Sequence, residues 1–124
     1  MSVIILDGHL KSALAAVRSL GKAGIPASVG AERTTAMALH SRYSKDTFLY
    51  SSPYFSQEAF ASAVKNEAIR MGGKPLVYTF SDATYLALYA HHKTLSAHMT
   101  LVFPEERAIE IAFDKAATYS LARV

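Results

Sequence analysis

Five short runs of apolar and β-branched residues recur along this chain: VIIL at 3–6, IPASVG at 25–30, TFLY at 47–50, LVYTF at 76–80 and MTLVF at 99–103. Between them lie segments whose apolar residues fall three or four apart. Leu10, Leu14, Val17 and Leu20 form one such series; Phe60, Val64, Ala68 and Met71 form another. That spacing is helical. Strand and helix signals that alternate through a whole chain narrow the choice sharply, because parallel strands need long crossovers and helices usually provide them. VIIL is apolar at every position, which suits a strand buried on both faces. The expected fold class is α/β: a mainly parallel five-stranded sheet with helices on both faces and right-handed crossovers.

Punctuation residues set the expected boundaries. Gly21 and Gly24 bracket the end of the first helix, and Gly72-Gly73 end the helix that Ser56 caps. The segment around Thr34 to Leu39 reads as one or two helical turns. SDATYLALYAHHKTL, 81–95, reads as one helix capped by Ser81 or Asp82. Pro104, followed by Glu105 and Glu106, opens a further helix in the favoured way, and Asp114 reads as the N-cap of another.

Composition bounds the function classes. The chain has 124 residues, 51% of them hydrophobic and 19% charged, which is enough for one domain with a real core. The net charge of +3 is spread thinly: six Lys/Arg face four Asp/Glu in the first 62 residues, and seven face six in the last 62. With no basic run, neither nucleic acid nor a membrane surface is an expected partner. There is no cysteine, so disulfides, thiolate catalysis and zinc-thiolate sites are excluded. MSVIILDGHL lacks a basic n-region and a long apolar core. The expectation is therefore no signal peptide, no membrane span and a cytoplasmic location.

In open parallel sheets, ligands sit beyond the carboxyl ends of the strands. That rule selects the loops at Asp7-Gly8-His9, Ala31-Glu32-Arg33, Ser81-Asp82 and Pro104-Glu105. The first is a candidate anion cradle, since Gly8 permits a tight turn and a helix N-terminus follows. It holds one glycine where a dinucleotide fingerprint needs three. Glu32 occupies the place of a ribose-binding acid, or is simply a solvated side chain. Ser81 and Asp82 face the same edge, and capping is compatible with binding. His91 and His92 project about 100° apart on a helix, so they make no chelating pair. No Ser-His-Asp arrangement is visible. Tyr43, Tyr50 and Tyr54 lie near turns, as exposed but scattered aromatics. Lys115, behind Asp114, stands at a helix mouth where a cation is mildly unfavourable. An anion such as phosphate sharing that site explains it better; a plain surface lysine is the bland alternative.

Several stretches taken together resemble one family. VIILDG with ALAAVRSLGKAGIPASVGA, then HSRYSKDTFLYSSP, then YTFSDATYLAL, then FPEERAIEIAFDKAATYSLA follow the order seen at the front of ATP-grasp enzymes. The likeness is to proteins related to the large subunit of carbamoyl-phosphate synthase. It covers nearly the whole chain, through the order and spacing of loose motifs.

The resemblance implies a three-layer, Rossmann-like pre-ATP-grasp domain at 1–113, with 114–124 leading into a C-terminal ATP-grasp domain. It implies that Lys115 contacts ATP phosphates and that the loops of Asp7, Gly8, Ser81 and Asp82 face a small-molecule carboxylate substrate. ATP and Mg2+ are the implied cofactors, held by residues downstream, so residues 1–124 alone are expected to be inactive. FDKAATYSLARV ends without a helix cap, which suggests the front piece of a longer enzyme with Leu121 and Val124 left uncovered, and hence weak self-association or a frayed end. A stand-alone nucleotide- or metabolite-binding module and a partner-docking domain are the competing readings.

Overall fold

The structure is a computed structural model that describes residues 2–101. Its five strands are β1 (Val3–Ile5), β2 (Ala27–Ala31), β3 (Ser44–Leu49), β4 (Leu76–Tyr78) and β5 (Thr100–Leu101). All neighbours pair in parallel, in the order β3-β2-β1-β4-β5. The helices are α1 (Lys11–Lys22), α2 (Gln57–Met71), α3 (Asp82–Ala90) and α4 (His92–Leu95), with a 3-10 turn at Met37–His40. The expected α/β, Rossmann-like architecture is what forms, with a sheet parallel throughout. Pro104, Glu105, the Asp114-Lys115 pair, the boundary at 113/114, Leu121 and Val124 lie outside the described residues.

The alternation of side chains along β1 builds both cores. Val3 and Ile5 pack with Ala13 and Val17 of α1 and Val29 of β2. Ile4 and Leu6 point the other way, onto Phe60 and Val64 of α2 and Leu88 of α3. Burying each of these large side chains contributes roughly 1.5–3 kcal/mol. β1 is therefore the strand that holds the three layers together, and its carboxyl end is fixed where α1 and α3 diverge to opposite faces.

Small residues in β2 set the packing distance to its neighbour. A Cβ built on Gly30 would stand 2.5 Å from Cζ of Phe48, so the ring lies where a side chain would otherwise be. Beside it, Ser28 donates from Oγ to the Glu67 carboxylate, which also takes two hydrogen bonds from Arg70. Arg70 reaches on to Asp46 of β3 at 3.3 Å. One ion-pair cluster thus clamps α2 over the edge strand.

The caps follow the sequence closely. Ser56 Oγ accepts from Ala59 N, and Gly72 ends α2 at φ 68°. Ser81, not Asp82, caps α3. β1 and β4 end one and two residues early and β2 is shifted to 27–31; three further boundaries differ for reasons the structure shows. β3 begins at Ser44 rather than Thr47, because an edge strand tolerates polar residues on its open face. The segment around Thr34–Leu39 closes as a 3-10 turn displaced to Met37–His40. The helix expected over 81–95 breaks at His91, where the backbone turns to φ −110°, ψ 14°. His91 Nδ1 lies 3.0 Å from the Ala87 carbonyl, and His92 Nδ1 lies 2.6 Å from that of Tyr89, so the two rings satisfy the end of α3. No helix among the described residues is long and apolar enough to cross a membrane.

Candidate functional site

The strand order reverses between β1 and β4, the topological switch point where open α/β sheets place their crevice. Asp7 leaves the tip of β1 at φ 59°, a left-handed backbone that Asp tolerates better than most residues. That turn aims its carboxylate at β4. Asp7 Oδ2 accepts from Phe80 N at 2.8 Å and from Thr84 Oγ1 at 2.7 Å, and Oδ1 accepts from Ser81 Oγ at 3.0 Å. Ser81 Oγ in turn accepts from Thr84 N to cap α3. The loops of Asp7 and Ser81 are therefore brought together, as the sequence rule anticipates.

Their chemistry is directed inward. Asp7 is 2% exposed, and its three acceptor bonds join β1, β4 and α3. The amides of this loop are engaged as well. Asp7 N donates to Tyr50 Oη at 2.9 Å, Gly8 N to the Gly30 carbonyl at 3.0 Å, and Leu10 N to the Asp7 carbonyl at 2.9 Å. Gly8 N therefore offers nothing to an anion, and Gly8 serves a close approach of backbone to β2; the other donors of the expected cradle, at the start of α1, carry no side-chain cap. Among the described residues no group of three or more His, Asp or Glu gathers to hold a metal ion. Asp82, at the first position of α3, stays exposed at this edge. Lys115 lies outside the described residues.

Tyr50 is a second correction. It is buried rather than exposed, its ring edge-on to Phe60 with centroids 4.9 Å apart. Burial first, and then the nearby charges of Asp7 and Glu32, push its hydroxyl above the ordinary tyrosine range; the hydrogen bond from Asp7 N opposes them. Tyr43 is half-buried beneath the Arg42 guanidinium, and Tyr54 is exposed as expected.

Open space lies further along the tip edge, over β2 and β3. A cavity of about 370 Å3 is lined by His9, Glu32, Arg33, Thr35, Ala36 and Met37. A broader cleft of about 610 Å3 is bounded by Glu32, Arg33, Leu49, Ser51, Ser52 and Phe55, with Ala59 and Ala63 of α2 behind. Glu32 and Arg33 form the ridge between the two. Phe55 is 88% exposed and Leu49 50%. The sequence reading named Glu32 as a ribose-binding acid or a solvated side chain, named Arg33 only as a loop residue, and missed Leu49 and Phe55. The available signal was the Tyr54-Phe55 pair in a serine- and proline-rich connection, where aromatics have no core to enter.

Comparison with protein-family models, with curated proteins and with solved structures finds no match.

Proposed function

We propose that this chain is the substrate-side, pre-ATP-grasp domain of an ATP-dependent carboxylate–amine ligase of the ATP-grasp superfamily, with the cytoplasm as its compartment. One observation carries the reading. Three of the stretches that resemble the family (VIILDG, TFLYSSP and YTFSDA) end at the tips of β1, β3 and β4, on the same edge of one parallel sheet. A domain that forms one wall of a substrate site needs its loops gathered there.

In this reading ATP and Mg2+ belong to a following ATP-grasp domain, with Lys115 near its entrance as a phosphate contact. The reaction moves the γ-phosphoryl group of ATP to a carboxylate, giving an acyl phosphate and ADP. An amine then attacks the acyl carbon and expels inorganic phosphate. Residues 2–101 supply positioning: the rigid tip edge holds the substrate while the charge-stabilising groups sit opposite. The alternative is a free-standing Rossmann-like module that binds a nucleotide or small metabolite.

The test is the coding sequence beyond codon 124. A glycine-rich lid and an Asn/Glu pair of magnesium ligands are expected, and the longer chain should release phosphate from ATP only when a carboxylate substrate is present. The 124 residues alone should stay at background. A stop codon directly after Val124, or carboxylate-dependent phosphate release by the short chain, overturns the reading.

A further inference from the structure

Glu32 and Arg33 are adjacent, exposed and opposite in charge, yet neither forms an ion pair or a side-chain hydrogen bond among the described residues. The ion pairs among the described residues all belong to Arg70. Two uncommitted charges therefore stand together at the mouth of the cleft over β2 and β3. Its other wall carries two exposed apolar side chains, Leu49, half exposed, and Phe55, almost fully so, beside Ser51 and Ser52. Large apolar side chains left open beside unpaired charges, in a shallow open cleft, mark a surface that binds something.

We propose that this cleft binds an α-amino acid with a large apolar side chain, its ammonium on Glu32, its carboxylate on Arg33 and its side chain against Leu49 and Phe55. The charges decide the class. A simple carboxylic acid satisfies Arg33 but brings its negative charge to Glu32. A simple amine satisfies Glu32 but meets Arg33. A zwitterion that carries both charged groups on one α-carbon complements the pair, and an arginine fork suits a carboxylate in particular. The apolar wall then selects for side-chain size. The assignment rests on the ligase reading only in making this amino acid the substrate of that reaction.

The experiment is a 1H–15N correlation NMR titration of the full chain with L-phenylalanine. Three comparison ligands each remove one feature: N-acetyl-L-phenylalanine lacks the ammonium, phenethylamine the carboxylate and glycine the side chain. L-phenylalanine should shift the amides of residues 32–33, 49–52 and 54–55, and each comparison ligand should bind about tenfold more weakly or worse. Glu32→Gln and Arg33→Gln should each weaken phenylalanine by a similar factor. Phe55→Ala should erase the preference for phenylalanine over glycine. All three positions are exposed, and an otherwise unchanged spectrum verifies the fold of each variant. Absence of shifts at these amides, or equal binding of the N-acetyl compound or of phenethylamine, overturns the proposal. Phenylalanine binding here, with no phosphate release by any longer chain, sinks the ligase reading and leaves the site. Phosphate release without phenylalanine shifts does the reverse.

Discussion

The carboxylate of Asp7 accepts a hydrogen bond from the hydroxyl of Thr84 at 2.7 Å, across seventy-seven positions of sequence. This bond and its two companions close the switch point from within. The position where a parallel sheet ordinarily opens is stitched by a buried acid, and the open clefts are displaced one and two strands away, to the tips of β2 and β3. A single residue at an unusual backbone angle thereby decides which part of the tip edge is structure and which part is surface.

Removing that carboxylate should be costly. Asp7→Ala strips the acceptor from Phe80 N and two hydroxyls, and it leaves alanine at φ 59°. A loss of roughly 3–4 kcal/mol is expected. Asp7→Asn keeps one acceptor oxygen and tolerates the backbone, so its loss should be about 1–2 kcal/mol. Urea midpoints at constant slope measure both. Two variants of equal stability would show that neither the acceptor oxygen kept by Asn nor its tolerance of the backbone angle contributes.

Gly30 should tolerate no side chain while Phe48 is present. Its φ is ordinary, so the obstacle is steric: the added Cβ would meet the Phe48 ring at 2.5–3.0 Å. Gly30→Ala is expected to cost about 1–3 kcal/mol by overpacking. Phe48→Leu should cost less by itself, and the double variant should recover part of the Gly30→Ala loss. A double-mutant cycle from chemical denaturation reads this coupling, and strict additivity would contradict it.

Much of this fold was legible because its signals are local. VIIL is apolar at every position, and only a doubly covered strand uses such a run. Ser56, Ser81 and Gly72 cap helices through bonds made within a few residues. What escaped notice depends on distant partners. SKD at 44–46 looks like loop, yet Asp46 meets Arg70 from α2 and the strand continues through it. Tyr50 sits just past a strand end and looks exposed; its burial depends on Phe60 and on the amide of Asp7. The site divides the same way. Parallel topology alone places Asp7 beside Ser81, but the inward turn of the carboxylate depends on one left-handed angle. The grouping of Glu32 and Arg33 with Leu49 and Phe55 depends on how α2 starts, which no spacing in the sequence encodes.

Stability should fall on the acid side through Glu67. The hydrogen bonds from Arg70 hold its carboxyl below the usual carboxylate range; burial opposes this, and the Ser28 hydroxyl and the Arg70 charge add to the lowering. A folded-state pKa below the unfolded one gives stability that is present above the unfolded value, about 4.3, and is lost as the pH falls through the folded one. Glu67→Gln should be less stable at neutral pH and should show a shallower acid limb. Urea midpoints between about pH 2 and pH 6 test it. Parallel acid limbs in the two proteins would assign the dependence to other carboxylates.

Tyr50 should set part of the alkaline limb. Its hydroxyl is raised in the folded state, so the stability it contributes is complete below the unfolded tyrosine value of about 10 and is lost as the pH rises beyond it. Tyr85, raised by burial, acts in the same direction, so removing Tyr50 takes away only a portion. Tyr50→Phe also leaves the Asp7 amide without its acceptor, and a neutral-pH loss of about 1–2 kcal/mol is expected. The variant should therefore start less stable and then decline less steeply above about pH 9. Urea midpoints followed alongside phenolate absorbance separate the two effects. If the variant and the parent lose stability in parallel, the Tyr50 hydroxyl titrates no differently folded than unfolded, and its bond to Asp7 is only a local tie.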